Sequence, residues 1–332
     1  MKLHAIVASM LLVTPLPFSR FDLFAPPSSA SAVAHSRRGT ESFRAITPNE
    51  ALRAITHNDA LRDSIRSRIA ATPGAFAAVS YNDLSTGAAL ALNADSVFHA
   101  ASTMKIPVMI EVLRRVQAGA FALDQGVLLI NQFASIVDGS AFSLDAAEDS
   151  DTALYRRLGE RVPIGDLLRR MITHSSNLAT NQLIAVVGAE KVTATARRLG
   201  ALRMQVLRGV EDQKAFDRGL INTTTSADLA ALLLAIETGR ALSPQSSAEM
   251  RNILLAQEFR EKIPAGLPAD IRVAHKTGEI TAVSHDAAIV YPPQRKPYVL
   301  VVLTRGVRDG AVSSALIADI SRLVYRHAMR SM

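Results

Sequence analysis

The strand-forming runs of this chain stand near its two ends, and that placement constrains the fold more than any other feature of its 332 residues. Phe76 to Tyr81 and Ala88 to Leu92 read as a strand pair joined across Asn82-Asp83-Leu84-Ser85-Thr86-Gly87. Further strand runs are expected at 271–276, 286–291 and 298–304. From Ser102 to Arg240 the signals are helical, with few strand runs. Helices are also expected at 49–70, with Leu52, Ile55, Leu61, Ile65 and Ile69 on one side, and from about Ser313 to His327. Neither group of strands suffices alone for a stable sheet, so both must pair in one. That arrangement makes an α/β lobe from the chain ends and leaves an all-helical insert between them. A cleft is expected where the two lobes face each other.

Chemistry-bearing residues cluster where the insert begins. In Ser102-Thr103-Met104-Lys105 a serine precedes a lysine by three, which places both side chains on one helical face, a turn apart. There the amine of Lys105 can take the proton that Ser102 must lose to become a nucleophile. His99-Ala100-Ala101-Ser102 leads into Met104, Ile106, Val108, Met109, Val112, Leu113 and Val116, a run too apolar for a surface helix. Pro107 is tolerated only near a helix start, so Ser102 belongs at the N-terminal end. Free backbone N–H groups and the helix dipole favour developing negative charge at that end. Two further pieces follow in order. Ser175-Ser176-Asn177 precedes a second buried helical run, Leu178 to Ile184, and Lys276-Thr277-Gly278 closes a strand. Glycine there admits a close approach that a side chain would block.

Each piece has a plain structural reading as well. Ser102 and Ser175 can be helix N-caps, Lys105 a surface lysine, and Lys276-Thr277-Gly278 a polar strand end with a glycine turn. A lone Ser-x-x-Lys is worth little; three pieces in fixed order describe an enzyme that acylates itself on serine without a histidine.

Through these segments, and through Thr223-Thr224-Thr225-Ser226-Ala227-Asp228-Leu229, the chain resembles the serine β-lactamases of class A and their relatives among the penicillin-binding proteins. The likeness runs from about Asn49 to Arg326. It implies an α/β, two-lobed β-lactamase-like fold: an antiparallel sheet built from both chain ends and flanked by helices, plus an all-helical lobe at about 102–240 within a catalytic domain at 49–330. By the same resemblance Ser102 is the acylated nucleophile and Lys105 its proton acceptor. Ser175 relays a proton to the departing amine, Asn177 holds the substrate's amide, and Lys276 and Thr277 bind its carboxylate beside Gly278. The backbone N–H groups of Ser102 and Glu279 form the oxyanion hole. Glu211, in Arg208-Gly209-Val210-Glu211-Asp212, is the omega-loop base that activates the deacylating water; its plain reading is a solvated acid paired with Arg208.

The chain departs from the family pattern at several points. Ser176 replaces a structural aspartate, and Ala215 stands where the family has an asparagine four residues after the glutamate. The loop is about two residues short. His285 takes roughly the place of an arginine that binds the substrate carboxylate. Phe133 to Arg157 is enlarged and is expected to wall the cleft. Two alternatives therefore stand beside the lactamase: a penicillin-binding D-alanyl-D-alanine peptidase or transpeptidase, and a non-catalytic sensor of cell-wall fragments.

The remaining sequence narrows the setting. Lys2 and the apolar run Ala5 to Val13, too short for a membrane anchor, precede small-residue cleavage sites at Ala30-Ser31-Ala32 or Ala32-Val33-Ala34. A signal peptide at 1–34, a flexible lead at 35–48 and a periplasmic or secreted protein are expected. Removing 1–34 lowers the formal net charge from +7 to +6. The basic residues are mostly arginines spread along helices, as in Arg114-Arg115, Arg169-Arg170 and Arg197-Arg198, without aromatic interleaving, so nucleic acid is not an expected partner. With no cysteine and no metal-binding histidine spacing, neither disulfides nor a metal is expected. No Gly-x-Ser-x-Gly elbow or nucleotide-binding glycine motif is present, so no cofactor is expected. The expected partner is a small-molecule substrate, a β-lactam or related cell-wall peptide, bound by a monomer.

Overall fold

The computed structural model describes residues 48–330, with side chains from residue 58 onward. The expected signal peptide and lead lie outside the described residues, apart from Pro48, which opens the helix Pro48–Ala70. Leu52 and Ile55 likewise fall outside the described side chains.

Five strands form one antiparallel sheet: β1 (Phe76–Asp83), β2 (Ala89–Leu92), β3 (Arg272–Ile280), β4 (Val283–Tyr291) and β5 (Tyr298–Arg305). Their order is β2-β1-β5-β4-β3, so strands from the two chain ends meet at the β1–β5 ladder, with Phe76 opposite Arg305 and Asp83 opposite Tyr298. β3 and β4 run past the expected ends, up to the two-residue turn Thr281-Ala282.

The sheet is covered on both faces, which is why β5 reads as a continuous apolar run. Its side chains still divide with period two. Val299, Val301 and Leu303 enter the core shared with the helical lobe. Tyr298, Leu300 and Val302 enter a second core with Leu61, Ile65, Leu316 and Ile320 of the first and last helices. Each such fully buried aliphatic side chain contributes roughly 1.5–3 kcal/mol of transfer free energy. The last helix, Gly310–Arg330, is longer at both ends than expected.

The insert is built on the central helix Lys105–Gln117, in which Ile106, Val108, Met109, Ile110 and Val112 are wholly buried. Around it pack Ile164–Thr173, Asn177–Val187, Ala189–Arg198 and Pro244–Leu255. Its strand content is limited to short ribbons, such as Phe133–Ala134 with Ala141–Phe142. The helix Ser226–Glu237 lies against both the sheet and the insert. No helix among the described residues is long and apolar enough to cross a membrane.

Candidate active site

Ser102 sits in a single 3-10 turn, Ala101–Met104, that runs into the central helix. No side chain caps either element, so Ser102 is not an N-cap. Among the described residues its hydroxyl makes no hydrogen bond. Being second in its turn, Ser102 has an N–H with no carbonyl ahead of it inside the helix. Ala101 holds a left-handed φ of 45°, a conformation that costs a non-glycine residue about 1–3 kcal/mol. Strand β3 packs directly on this turn. A Cβ on Gly278 would lie 3.0 Å from the backbone nitrogens of both Ser102 and Thr103. The approach foreseen for this glycine is therefore real, and it is to backbone.

Two buried amines meet at one hydroxyl. Lys105 Nζ donates to the carbonyl of Ser175 (2.6 Å), to Ser175 Oγ (3.2 Å) and to Asn177 Oδ1 (2.9 Å). Lys276 Nζ donates to Ser175 Oγ (3.0 Å) and to the Thr277 carbonyl (2.8 Å). Both lysines are fully buried, so the surface-lysine reading of Lys105 fails. Burial pulls the Lys105 amine down to about 7, against the opposing charges of Asp149 and Glu211. Burial, and then the neighbouring Lys105 charge, hold Lys276 well below the ordinary lysine range. Two desolvated amines bridged by one serine resist being charged together, so one of them is available as a proton acceptor. Ser175 itself has a φ of 59° and caps nothing; its neighbour Ser176 is the N-cap, accepting from the Ala179 N–H.

Glu211 closes the set from the loop side. Its Oε1 accepts from Asn177 Nδ2 at 2.7 Å, so a continuous hydrogen-bond path links Glu211, Asn177, Lys105, Ser175 and Lys276. Desolvation, and secondarily the charge of Asp149, raise the Glu211 carboxyl above its ordinary range, while the Asn177 hydrogen bond opposes them. Arg208 does not pair with it: that guanidinium donates to the carbonyls of Leu220 and Gly209. The loop backbone is clamped by Asn181, whose amide accepts from the Val210 N–H (2.7 Å) and donates to the Val210 carbonyl (3.0 Å). Asp212 ties it to the ribbon behind, accepting from Ser135 Oγ (2.9 Å) and the Ile136 N–H (3.0 Å). Lys214 adds bonds to Asp138 and Ser140. Ala215 is buried and offers no side-chain group to hold a water.

Two cavities meet at Ser102. The larger, about 810 Å³, is lined by Ser102, Ser175, Asn177, Thr277, Gly278 and Glu279. Glu148 and Ser150 wall the same cavity, as expected for the enlarged segment. The smaller, about 350 Å³, lies under the loop; it shares Ser102, Asn177 and Glu279 and adds Glu211. The two-residue turn after Ile280 makes Ile280 and Val283 a hydrogen-bonded pair, so Glu279 opposite Ser284 falls on the alternate, non-hydrogen-bonded phase. Its N–H therefore points off the free edge of β3, the side on which the Ser102 turn packs.

Three residues acquire their places only in the folded chain. His285 does not reach the cleft: it is fully buried, edge-on to Phe98, with Nε2 donating to the His99 carbonyl at 2.9 Å, and burial lowers it to about 4. A neutral ring in the core is no substitute for the arginine whose place it roughly takes. Lys262 lines the larger cavity instead, 4% exposed and paired with the Glu279 carboxylate at 2.9 Å. Asp149, also 4% exposed, accepts from the backbone N–H groups of Asn177 and Leu178. Neither Lys262 nor Asp149 belongs to a motif; each lies in an irregular segment where only the folded chain reveals its neighbours.

Comparison with known proteins places this geometry. Residues 60–328 match the model of the Beta-lactamase2 family, described as the beta-lactamase enzyme family. Beta-lactamase AST-1 of Nocardia asteroides is 32% identical over 258 residues, spanning 76% of this chain and 79% of that protein. A beta-lactamase of Streptomyces albus G is 27% identical over 247 residues, spanning 73% and 76%. Among solved structures, PBP-A superposes with a TM-score of 0.71 at 28% identity, covering 82% of this chain and 97% of that one. An ancestral (GNCA) class A beta-lactamase gives 0.69 at 27%, covering 80% and 99%. The expected two-lobed fold is thus the fold found, and the chain belongs to the β-lactamase enzyme family.

Proposed function

We propose that this protein is a class A serine β-lactamase, opening the β-lactam ring through an acyl-serine intermediate that water then cleaves. The observation that carries this is the hydrogen-bond path from Glu211 to Lys276, which runs beside Ser102 where the two cavities join. Ser102 Oγ attacks the lactam carbonyl as its proton passes to neutral Lys105. The oxyanion is held by the N–H groups of Ser102 and Glu279. As the C–N bond breaks, Ser175 protonates the departing nitrogen and is re-protonated from the lysine pair. Asn177 holds the substrate amide, and Lys276 and Thr277 its carboxylate, with Gly278 leaving room for both. Water reaching the acyl carbonyl from the loop side gives a proton to Glu211 as it attacks; the intermediate then breaks at the Ser102 Oγ–acyl bond as that proton returns to Oγ, which frees the serine and restores the carboxylate. The chemistry calls for residence outside the cytoplasm, so we assign 1–34 as an export signal, checked by sequencing the mature N-terminus. Expression in a sensitive host should raise penicillin tolerance.

A penicillin-binding peptidase is the second reading, favoured by Ala215, which offers the water no polar partner, and by the likeness to PBP-A. One assay separates the two. Purified protein is mixed with a chromogenic cephalosporin while colour and intact mass are followed. Sustained turnover with a transient adduct supports the lactamase; a stoichiometric burst with a lasting adduct overturns it in favour of the peptidase. Ser102→Ala should abolish turnover, and Glu211→Gln should acylate yet accumulate the adduct. Normal turnover by the glutamine variant would remove Glu211 from its role.

A further inference from the structure

Asp149 stands outside every motif, yet it bonds the backbone of Asn177, whose side chain holds both Lys105 and Glu211. It is 4% exposed. Its Oδ2 accepts from the Asn177 N–H (3.0 Å), the Leu178 N–H (2.9 Å) and the Tyr155 hydroxyl (3.0 Å). Its Oδ1 accepts from the Asp151 N–H at 3.0 Å. The first two donors are among the orphan N–H groups that open the helix Asn177–Val187. A carboxylate there is favoured by the helix dipole and by charge-assisted bonds. The turn Ser175-Ser176-Asn177 has no acid of its own, and the Ser176 hydroxyl is used on Ala179. The acid missing from the motif has a counterpart on the facing loop.

We propose that Asp149 is a positioning residue: from that loop it supplies the carboxylate that the Ser175-Ser176-Asn177 turn lacks, fixing the backbone of Asn177, whose side chain holds Lys105 and Glu211. This rests on the acyl-transfer reading above. Asn177 in turn holds both Lys105 and Glu211, so the fixed backbone at 177 sets the geometry of base and amine together. The groups facing Lys105 are Ser175 and Asn177 from the helix start, Glu211 from the loop, Lys276 from β3 and Asp149 itself. Around Asp149 stand Tyr155 and Asp145, while the nearby Asp151 is neutralised by Arg170. Of the two acids that favour the ammonium form of Lys105, Asp149 acts more strongly than Glu211.

The test is Asp149→Asn, read as the pH dependence of acylation, kcat/KM, with a chromogenic cephalosporin. Lys105 must be neutral to accept the serine proton, so acylation is lost as pH falls through its titration, near 7 in the intact protein. Removing a negative charge nearby makes the ammonium form less favourable, so the acid limb should move down by about one pH unit. The plateau should fall by roughly tenfold as Asn177 loses a charge-assisted anchor. Asp149→Glu should restore most of the limb. A purely structural role would lower the plateau and leave the limb in place, and that result would overturn the proposal. If the asparagine variant does not fold, Asp149→Ser, which leaves room for water at the helix N–H groups, carries the same test. Wild-type protein is run alongside: if it forms no adduct at Ser102, the acyl-transfer reading fails first, whereas normal wild-type acylation with an unmoved limb sinks only the role of Asp149.

Discussion

Gly209→Ala is a small change on the loop that carries Glu211, and the structure sets its consequence. A Cβ at position 209 would stand 2.3 Å from Asn181 Oδ1 and 2.7 Å from Asn181 Cγ. Asn181 cannot swing aside, because it is 3% exposed and both ends of its amide bond the backbone of Val210. Relief therefore requires lifting the loop off the helix. The two lost hydrogen bonds cost about 1 kcal/mol each. Residual overpacking adds roughly 1–3 kcal/mol. A total of roughly 3–5 kcal/mol is enough to open one loop but below the stability of most whole domains, so the fold persists. Glu211 lies two residues beyond the clash. A misplacement on the order of 1 Å costs about 100-fold in a step that depends on orientation. Deacylation should slow by about that factor while the first acylation stays within roughly threefold of normal. Quenched-flow mass spectrometry with penicillin should show the adduct building up before steady state. In Asn181→Ala/Gly209→Ala the steric partner is gone, so the double variant should be less impaired than the sum of its singles. Wild-type turnover by Gly209→Ala, with no adduct accumulating, would refute the steric account.

Three other outcomes are expected. Gly278→Ala, whose new methyl would press on backbone that cannot rotate away, should slow acylation by about tenfold or more; adduct formation at the normal rate would refute the tight packing of β3 on the Ser102 turn. Lys262→Met should raise KM for carboxylate-bearing β-lactams by about tenfold with kcat little changed, and an unchanged KM would remove Lys262 from the substrate site. The folded pKa of Lys105 lies near 7, below the ordinary 10.5, so between those values the unfolded chain binds a proton that the folded chain lacks. Stability should therefore rise with pH across that window, by at most about 1.4 kcal/mol per pH unit for this group, and Lys105→Met should flatten the rise; equal urea stability at pH 7 and about pH 9 in wild-type protein would contradict it.

Much of this was legible in the residues because local rules and tertiary contacts agree. Pro107 could only stand in a first helical turn, and it does, with Ser102 just ahead of it. The strands at the two ends had no other apolar partners, and they pair with each other. What the residues left open has physical causes. Ser175 and Ser176 are equally good caps by residue type; the left-handed φ of Ser175 hands the cap to its neighbour. His285 follows the strand alternation of β4, and with both faces of the sheet covered nothing in its neighbours tells that its ring meets the His99 carbonyl. Asp149 is one of four acids between Asp145 and Asp151, and its reach to the backbone of Asn177 depends on a loop path that no periodicity encodes. Lys262 reads as an ordinary loop cation until the chain brings Glu279 against it.

The pairing of Phe76 with Arg305 also makes the cleft depend on a contact between distant parts of the chain. On one edge β1 has β2, its neighbour in sequence, but on the other its partner β5 comes only after the whole helical insert. Contacts so distant along the chain close slowly. Until then β3, which brings Lys276 and Gly278 to the nucleophile turn, has no finished sheet to dock on. Ser102 and Lys105 lie on locally formed helical turns, but without the sheet they face no cleft. The reactive serine environment therefore belongs to the closed sheet and not to the nucleophile helix alone.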